Sequence, residues 1–157
     1  MKQRINVFDK GQNAMKALYG LGMYLAKSPV EQPLLHLLYF RVSQINGCAF
    51  CLDMHSKDLR AIGETEQRLY VLDAWRETPF YSDRERAALA WAEAVTKLNG
   101  ADVPDDVYEE AGKQFSEEEL IDLTLAVITI NSYNRVNIAF RVQAGGYKVA
   151  AKAVAAN

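Results

Sequence analysis

The stretch Asn46-Gly47-Cys48-Ala49-Phe50-Cys51-Leu52-Asp53-Met54-His55 holds both cysteines and one of the two histidines of this 157-residue chain. Asn-Gly is a turn signal, and helical patterns stand on either side of it, so the stretch predicts two helices joined at this point. At about 100° per residue, Cys51 lies about 60° and His55 about 20° from Cys48 around the second helix. The two thiols and the imidazole are therefore predicted to share one helical face.

Helical periodicity extends over nearly the whole chain, and no alternating strand pattern competes with it. Helix-breaking glycine and proline residues separate most of the predicted helices, which cover residues 7–27, 31–45, 49–62, 66–75, 84–98, 105–114 and 117–143. The spacing Ser-x-x-Glu predicts a capping box at Ser82–Glu85 and another at Ser116–Glu119. We therefore expect an all-α fold in a single domain covering residues 1–157.

Two of the predicted helices have informative polar positions. Helix 84–98 is amphipathic, with Glu93 among the residues of its polar face. Helix 117–143 is apolar nearly all round in its first half, which is typical of a helix central to its fold or covered by a second subunit. Its polar segment 131–137 favours a buried hydrogen-bonded network over a contact with substrate.

Composition and charge narrow the class of protein. Half of the residues are hydrophobic and about a quarter are charged, which is the balance of an ordinary soluble globular protein. The formal net charge is −2, so a nucleic-acid-binding surface is not expected. The N-terminus has no secretory signal pattern, and the longest apolar stretch, 120–130, is too short to span a bilayer and carries Asp122. We therefore expect a cytoplasmic protein without a membrane segment, in which CxxC indicates redox or metal chemistry more than a permanent disulfide.

The spacing of the thiols and the imidazole suggests how they react. With Asn46 as the expected N-cap, the positive end of the helix dipole favours thiolate at Cys48 and Cys51. His55 follows Cys51 by four residues, where it can take the thiol proton or protonate a leaving oxygen. Dipole proximity favours Cys48 as the attacking thiol, whereas contact with His55 favours Cys51. We assign attack to Cys51 and resolution to Cys48.

Other interpretations of these residues remain open. A zinc site of two cysteines and two histidines would combine Cys48, Cys51 and His55 with His36, although structural zinc usually takes CxxC ligands from a knuckle loop. A buried CxxC can also be a matter of core packing. Four residues could line an apolar mouth of the site or belong to the core: Tyr39, Phe50, Met54 and Tyr133.

Three blocks of the sequence, 38–57, 85–93 and 131–137, resemble the AhpD-like alkylhydroperoxidase family within the carboxymuconolactone decarboxylase superfamily. The most specific block carries CxxCxxxH behind Arg41-Val42-Ser43-Gln44-Ile45-Asn46-Gly47, and the resemblance covers about residues 31–147. It implies an AhpD-like helical bundle that assembles into homo-trimers or homo-hexamers. It also implies peroxide attack by Cys51, resolution by Cys48, tuning of the thiolate by His55, and recycling by a dithiol such as a lipoyl group.

The relay position departs from the family pattern. Well-known members carry a glutamate twelve residues before the first cysteine, and this chain has His36 there. An imidazole can pass protons near neutral pH, but it cannot supply the negative charge that keeps His55 protonated. His36 is therefore either a fourth catalytic residue or a packing residue of its helix.

The leading hypothesis is a cofactor-free, metal-free thiol peroxidase that reduces hydroperoxides through a CxxC disulfide cycle. The second is a thiol–disulfide sensor or exchange protein without significant peroxidase activity. The third is a zinc-binding structural oligomer.

Overall fold

A computed structural model describes residues 2–149, and within that range the regular structure is helical throughout. This confirms the all-α prediction. The helices run in the order α1 Val7–Lys10, α2 Gln12–Leu25, α3 Gln32–Asn46, α4 Ala49–Ala61, α5 Glu66–Tyr70, a 3₁₀ segment Leu72–Glu77, α6 Asp83–Lys97, a 3₁₀ turn Asn99–Ala101, α7 Asp105–Gln114 and α8 Glu117–Phe140.

The boundaries differ from the sequence predictions at three places. The first predicted helix is divided at Gly11 into α1 and α2. Segment 66–75 is a short α-helix followed by a 3₁₀ segment, and α8 ends at Phe140 because Arg141 adopts a left-handed conformation with φ 55°. Both predicted capping boxes form, at the starts of α6 and α8.

Helix α3 is the central element of the fold, because it contributes to two apolar clusters at once. Leu35 and Leu38 pack into a cluster with α6 and α8, whereas Leu37 and Phe40 join a second cluster with α4 and the 3₁₀ segment. α8 packs its Leu123–Ile130 face against the first cluster. This arrangement leaves α3 flanked by α4 on one side and α8 on the other.

Helix α8 carries apolar residues on its outer face as well. Ile121 is 61% exposed and Ile128 is 47% exposed, and seven residues of spacing place them on the same face. The all-round apolar pattern of this helix therefore reflects one face in the core and one face uncovered within the chain. No helix within residues 2–149 combines the length and apolarity needed to cross a membrane.

The expectation that Glu93 lies on a polar outer face is wrong. Glu93 is buried, and its Oε1 accepts hydrogen bonds from Arg41 Nε at 2.8 Å and Trp75 Nε1 at 2.9 Å. Arg76 donates to its other oxygen at 2.6 Å. These donors lower the pKa of Glu93 although burial alone would raise it. A carboxylate paired in this way is tolerated in the interior, and helical periodicity cannot distinguish it from an exposed one.

Candidate functional site

The cysteine pair lies at the junction of α3 and α4, and the junction is built differently from the sequence prediction. Asn46 is the last residue of α3, Gly47 closes that helix with φ 67°, and Cys48 is the N-cap of α4. The sulfur of Cys48 accepts a hydrogen bond from the backbone N–H of Cys51 at 3.4 Å. The prediction that Asn46 caps α4 is therefore wrong, because left-handed Gly47 ends one helix before the next begins.

Asn46 instead connects the junction to α8. Its side-chain amide donates to Oδ1 of Asn131 and to Oδ1 of Asn134, both at 2.9 Å. Asn134 donates in turn to Ser43 Oγ at 3.1 Å. The polar segment of α8 thus forms the buried network that the sequence favoured, and this network fixes the α3–α4 turn.

Cys48 and Cys51 are joined as a disulfide, with their Cα atoms 5.4 Å apart. Both are almost completely buried, at 1% and 0% exposure. The side-chain amide of Asn137, on α8, donates to the sulfur of Cys51 at 3.3 Å. Sequence reasoning assigned no role at the sulfur to Asn137. Asn137 is the last residue of the polar segment 131–137, which could have drawn attention to it. Its partner Cys51 is 86 residues away in the chain, so the sequence does not show the contact.

Cys51 faces a cavity of about 420 Å³ between α2, α3, α4 and α8. The walls are mainly apolar, and α1 and α2 contribute Phe8, Tyr19 and Gly22 to one side. All four residues that the sequence offered as possible mouth residues line it, namely Tyr39, Phe50, Met54 and Tyr133. The polar groups that reach the cavity include Cys51, His55, His36 and Asn137.

Cys48 faces a different depression. A shallower groove of about 430 Å³ is lined by Gly47, Cys48, Ala49, Phe50 and Asn137 together with residues 138 and 141–144. Cys51 is not part of this lining, and Cys48 is not part of the cavity wall. The disulfide therefore separates two depressions, each lined by one of its two cysteines.

His55 is buried, at 6% exposure, beside the ring of Tyr39 at 5.3 Å and the ring of His36 at 6.0 Å between centroids. Neither of its ring nitrogens has a hydrogen-bond partner within residues 2–149. Burial, with a smaller contribution from the nearby His36, lowers the pKa of His55 to about 3. In the disulfide form His55 is therefore a neutral imidazole near pH 7.

His36 lies in the predicted relay position beside His55, on α3. Burial lowers its pKa, whereas Asp58 acts in the opposite direction. Nδ1 of His36 is buried without a hydrogen-bond partner among the described residues. The structure thus brings together all four residues proposed for the site, Cys48, Cys51, His55 and His36.

Metal-ligating side chains group differently from the two-cysteine, two-histidine zinc set that the sequence left open. Ligand atoms of His36, His55 and Asp58 lie within 4.8 Å of one another. Both cysteines are engaged in the disulfide. Asp58 follows His55 by three residues on α4, so the two share a helical face.

A helical bundle with a buried CxxC pair against an apolar cavity defines a class of redox-active helical proteins, and similarity to known proteins identifies the family. Residues 12–94 match the carboxymuconolactone decarboxylase family, and the chain belongs to that family, in its AhpD-like group. The uncharacterized protein YdfG of Bacillus subtilis is 42% identical over 139 residues, covering 88% of this chain and 95% of YdfG.

Two further matches carry the AhpD name. The alkyl hydroperoxide reductase AhpD of Mycobacteroides abscessus is 37% identical over 75 residues, which cover 44% of this chain and 42% of that protein. A crystal structure from Agrobacterium tumefaciens, of a protein of unknown function proposed as an antioxidant defence protein AhpD, has a TM-score of 0.89 and 42% identity. It covers 93% of this chain and 100% of its own.

Proposed function

We propose that this protein is a thiol-dependent peroxidase that reduces organic hydroperoxides through a cycle between the Cys48/Cys51 dithiol and its disulfide. The observation that carries the proposal is the position of Cys51, which faces an apolar cavity while an amide of Asn137 donates to its sulfur. A donor to sulfur stabilises thiolate over thiol, and thiolate is the nucleophile toward peroxides. Family membership supports the same chemistry.

The oxidative half of the cycle begins with the reduced dithiol. Cys51 thiolate attacks the terminal oxygen of ROOH, the O–O bond breaks, and Cys51 becomes a sulfenic acid while the alkoxide leaves. The alkoxide takes a proton and departs as ROH. The thiolate of Cys48 then attacks the sulfur of the sulfenic acid, hydroxide leaves and is protonated to water, and the disulfide forms. Two thiols are oxidised for each peroxide reduced.

His55 supplies the proton movements in this scheme. A neutral imidazole accepts the Cys51 proton at the start and returns it to the leaving oxygen. The pKa of about 3 belongs to the disulfide form, in which no thiolate faces the ring. Thiolate at Cys51, four residues away on the same helix, favours the protonated ring in the reduced form. His36, beside His55, is proposed to relay protons to and from the ring.

The reductive half uses the groove on the Cys48 side. A dithiol such as a dihydrolipoyl group enters there, and its thiolate attacks the sulfur of Cys48. The Cys48–Cys51 bond breaks, and Cys51 leaves as a thiolate that accepts the Asn137 hydrogen bond. The second thiol of the carrier then displaces Cys48, so that the carrier is oxidised and the protein dithiol is restored. A reducing compartment such as the cytoplasm fits this cycle.

We also propose that the protein works as a homo-oligomer, a trimer or a hexamer. The support is the uncovered apolar face of α8, with Ile121 and Ile128, and Met23 on the contacting helix α2, which is 67% exposed. Exposed apolar residues grouped in this way are typical of a protein–protein interface.

Anaerobic thiol counting tests the peroxidase directly. One equivalent of cumene hydroperoxide added to reduced protein is expected to consume two thiols per chain. Cys51→Ser is expected to abolish the reaction, and Cys48→Ser is expected to leave a sulfenic acid that a dimedone probe traps. Two thiols remaining after peroxide addition would contradict the proposal. A peroxide rate equal to that of free cysteine, with rapid exchange with dihydrolipoamide, would identify a thiol–disulfide exchange protein instead.

A further inference from the structure

Three ligand-bearing side chains converge beside the cysteine pair without involving either sulfur. His55 and Asp58 project from one face of α4, and His36 projects toward them from α3. Their ligand atoms lie within 4.8 Å of one another. We propose that His36, His55 and Asp58 form a binding site for a divalent transition-metal ion, with Zn²⁺ as the reference ligand.

Unpartnered buried ring nitrogens make this place suitable for a ligand. Both nitrogens of His55 and Nδ1 of His36 are buried without a hydrogen-bond partner among the described residues, and His55 is only 6% exposed. Buried polar atoms in proteins are nearly always satisfied by protein, water or an ion. A neutral imidazole carries one unprotonated ring nitrogen, so His55 and His36 can each present one nitrogen to the same metal ion.

The three side chains also determine which metal ions the site favours. Two imidazoles and one carboxylate suit zinc, iron(II), cobalt and nickel, and they suit Mg²⁺ and Ca²⁺ poorly because those ions prefer all-oxygen ligands. Asp58 is not ion-paired to any Lys or Arg within residues 2–149. The hydroxyl of Tyr147 donates to Asp58 Oδ1 at 2.7 Å, an arrangement that orients a ligating carboxylate.

The cavity gives the site open coordination positions. His36 and His55 both line the 420 Å³ cavity, so a metal ion bound between them would meet whatever enters it. Three protein ligands with an open side are typical of exchangeable or reactive metal sites rather than closed structural ones. Occupation would also hold the nitrogen of His55 that the proposed peroxidase cycle needs. If that cycle operates, the metal ion is expected to inhibit it.

Metal titration of the oxidised protein tests the site separately from the peroxidase, because no peroxide and no free thiol is involved. The full-length disulfide form, stripped with a chelator and desalted, is titrated with Zn²⁺ by calorimetry. We expect one ion per chain, and a loss of affinity of at least about tenfold in His36→Gln and in Asp58→Asn. Asn at position 58 keeps an acceptor for Tyr147. Asp106→Asn, which changes an exposed carboxylate on α7 outside the cluster, is the matched control and is expected to bind as the wild type does.

Co²⁺ provides an independent measurement of the ligands. The oxidised protein is expected to give a cobalt absorption spectrum without a thiolate-to-metal charge-transfer band, and this spectrum is expected to be lost in Asp58→Asn. Absence of Zn²⁺ binding, or equal affinity in the wild type, His36→Gln and Asp58→Asn, would overturn the proposal. So would binding that occurs only after reduction and disappears in Cys51→Ser, because that result would assign the ion to the cysteines.

Discussion

Asn137 and Cys51 are linked across two helices, with the side-chain amide nitrogen of Asn137 on α8 3.3 Å from the sulfur of Cys51 on α4. Asn137→Leu keeps the size of the side chain and removes the donor. Hydrogen bonds to charged groups contribute about 1.5–3 kcal/mol, so we expect a higher pKa of the Cys51 thiol and reaction with peroxide at least about tenfold slower at pH 7.

The pH dependence of iodoacetamide alkylation of the reduced protein measures this pKa. Ser132→Ala is the control, because Ser132 lies on the same helix and donates to the backbone oxygen of Ile128 rather than to sulfur or to the Asn46 network. An unchanged alkylation profile in Asn137→Leu would remove Asn137 from the activation of Cys51.

Burial of His55 predicts that acid destabilises the disulfide form. Its pKa is about 3 in the folded protein and about 6.5 in an unfolded chain. The unfolded state therefore binds an extra proton below pH 6.5, and stability is lost as the pH falls from about 6.5 toward 3. For this one residue the free energy of unfolding falls by about 2 kcal/mol between pH 7 and pH 5.

Urea unfolding of the oxidised wild type and of oxidised His55→Gln at pH 7 and pH 5 measures the effect. Gln does not titrate, so the variant is expected to lose about 2 kcal/mol less than the wild type over this interval. Parallel losses in the two proteins would show that His55 ionises normally in the folded state.

Much of the site could be predicted from sequence because it is local. The spacing of Cys48, Cys51 and His55 determines a shared face once the segment is helical, and the Asn46-Gly47 pair marked the turn. The position of His36 followed from the family resemblance, which implies a relay residue twelve positions before the first cysteine. In the structure Cys51, His55 and His36 line one cavity, whereas Cys48 is the N-cap of α4 and lines the neighbouring groove, so the predicted shared face holds for Cys51 and His55 only.

The remaining features depend on tertiary packing, which residue spacing does not specify. Asn137 reaches the sulfur from 86 residues away, and Glu93 is buried because Arg41 and Trp75 come from other elements. The spacing of His55 and Asp58 was visible, but only the packing of α3 against α4 adds His36 to them. The cap of α4 was misassigned because Gly47 could end one helix or begin the next.

If the reductant enters through the groove on the Cys48 side, a substitution in that groove should slow reduction of the disulfide without slowing oxidation of the dithiol. Ala144 is exposed and lines this groove, away from the cavity wall. Ala144→Trp is expected to slow reduction of the disulfide by dihydrolipoamide several-fold while peroxide oxidation of the dithiol is unchanged. Stopped-flow measurement of each half-reaction decides this. Equal slowing of both halves would contradict separate access to the two cysteines.

The uncovered face of α8 predicts an interface. Ile121→Lys with Ile128→Lys places two charges on that face, and we expect the oligomer to dissociate in light-scattering chromatography. Tyr70→Lys is the matched control, because Tyr70 is 71% exposed on α5, and it is expected to leave the assembly intact. A monomeric wild type, or an unchanged assembly in the double variant, would contradict the proposed interface.

The size of the cavity at Cys51 is expected to determine which peroxides react. Substitutions at two glycines of α2 test this expectation. Gly22 lines the cavity, whereas Gly20 does not, and a Cβ built on either meets no atom within 4 Å. Gly22→Phe is expected to fill the space that a bulky peroxide occupies. It should therefore lower kcat/KM for cumene hydroperoxide about tenfold or more, with little change for hydrogen peroxide, because the larger molecule loses most of its contact surface.

Gly20→Phe makes the same chemical change two residues away and is expected to leave both rate constants as in the wild type. Replacing a helical glycine also favours the helix, so neither variant is expected to lose stability. Equal losses for both peroxides in Gly22→Phe would indicate a blocked entrance common to all substrates. A loss for cumene hydroperoxide in Gly20→Phe as well would place substrate binding outside this cavity, since residue 20 does not reach it.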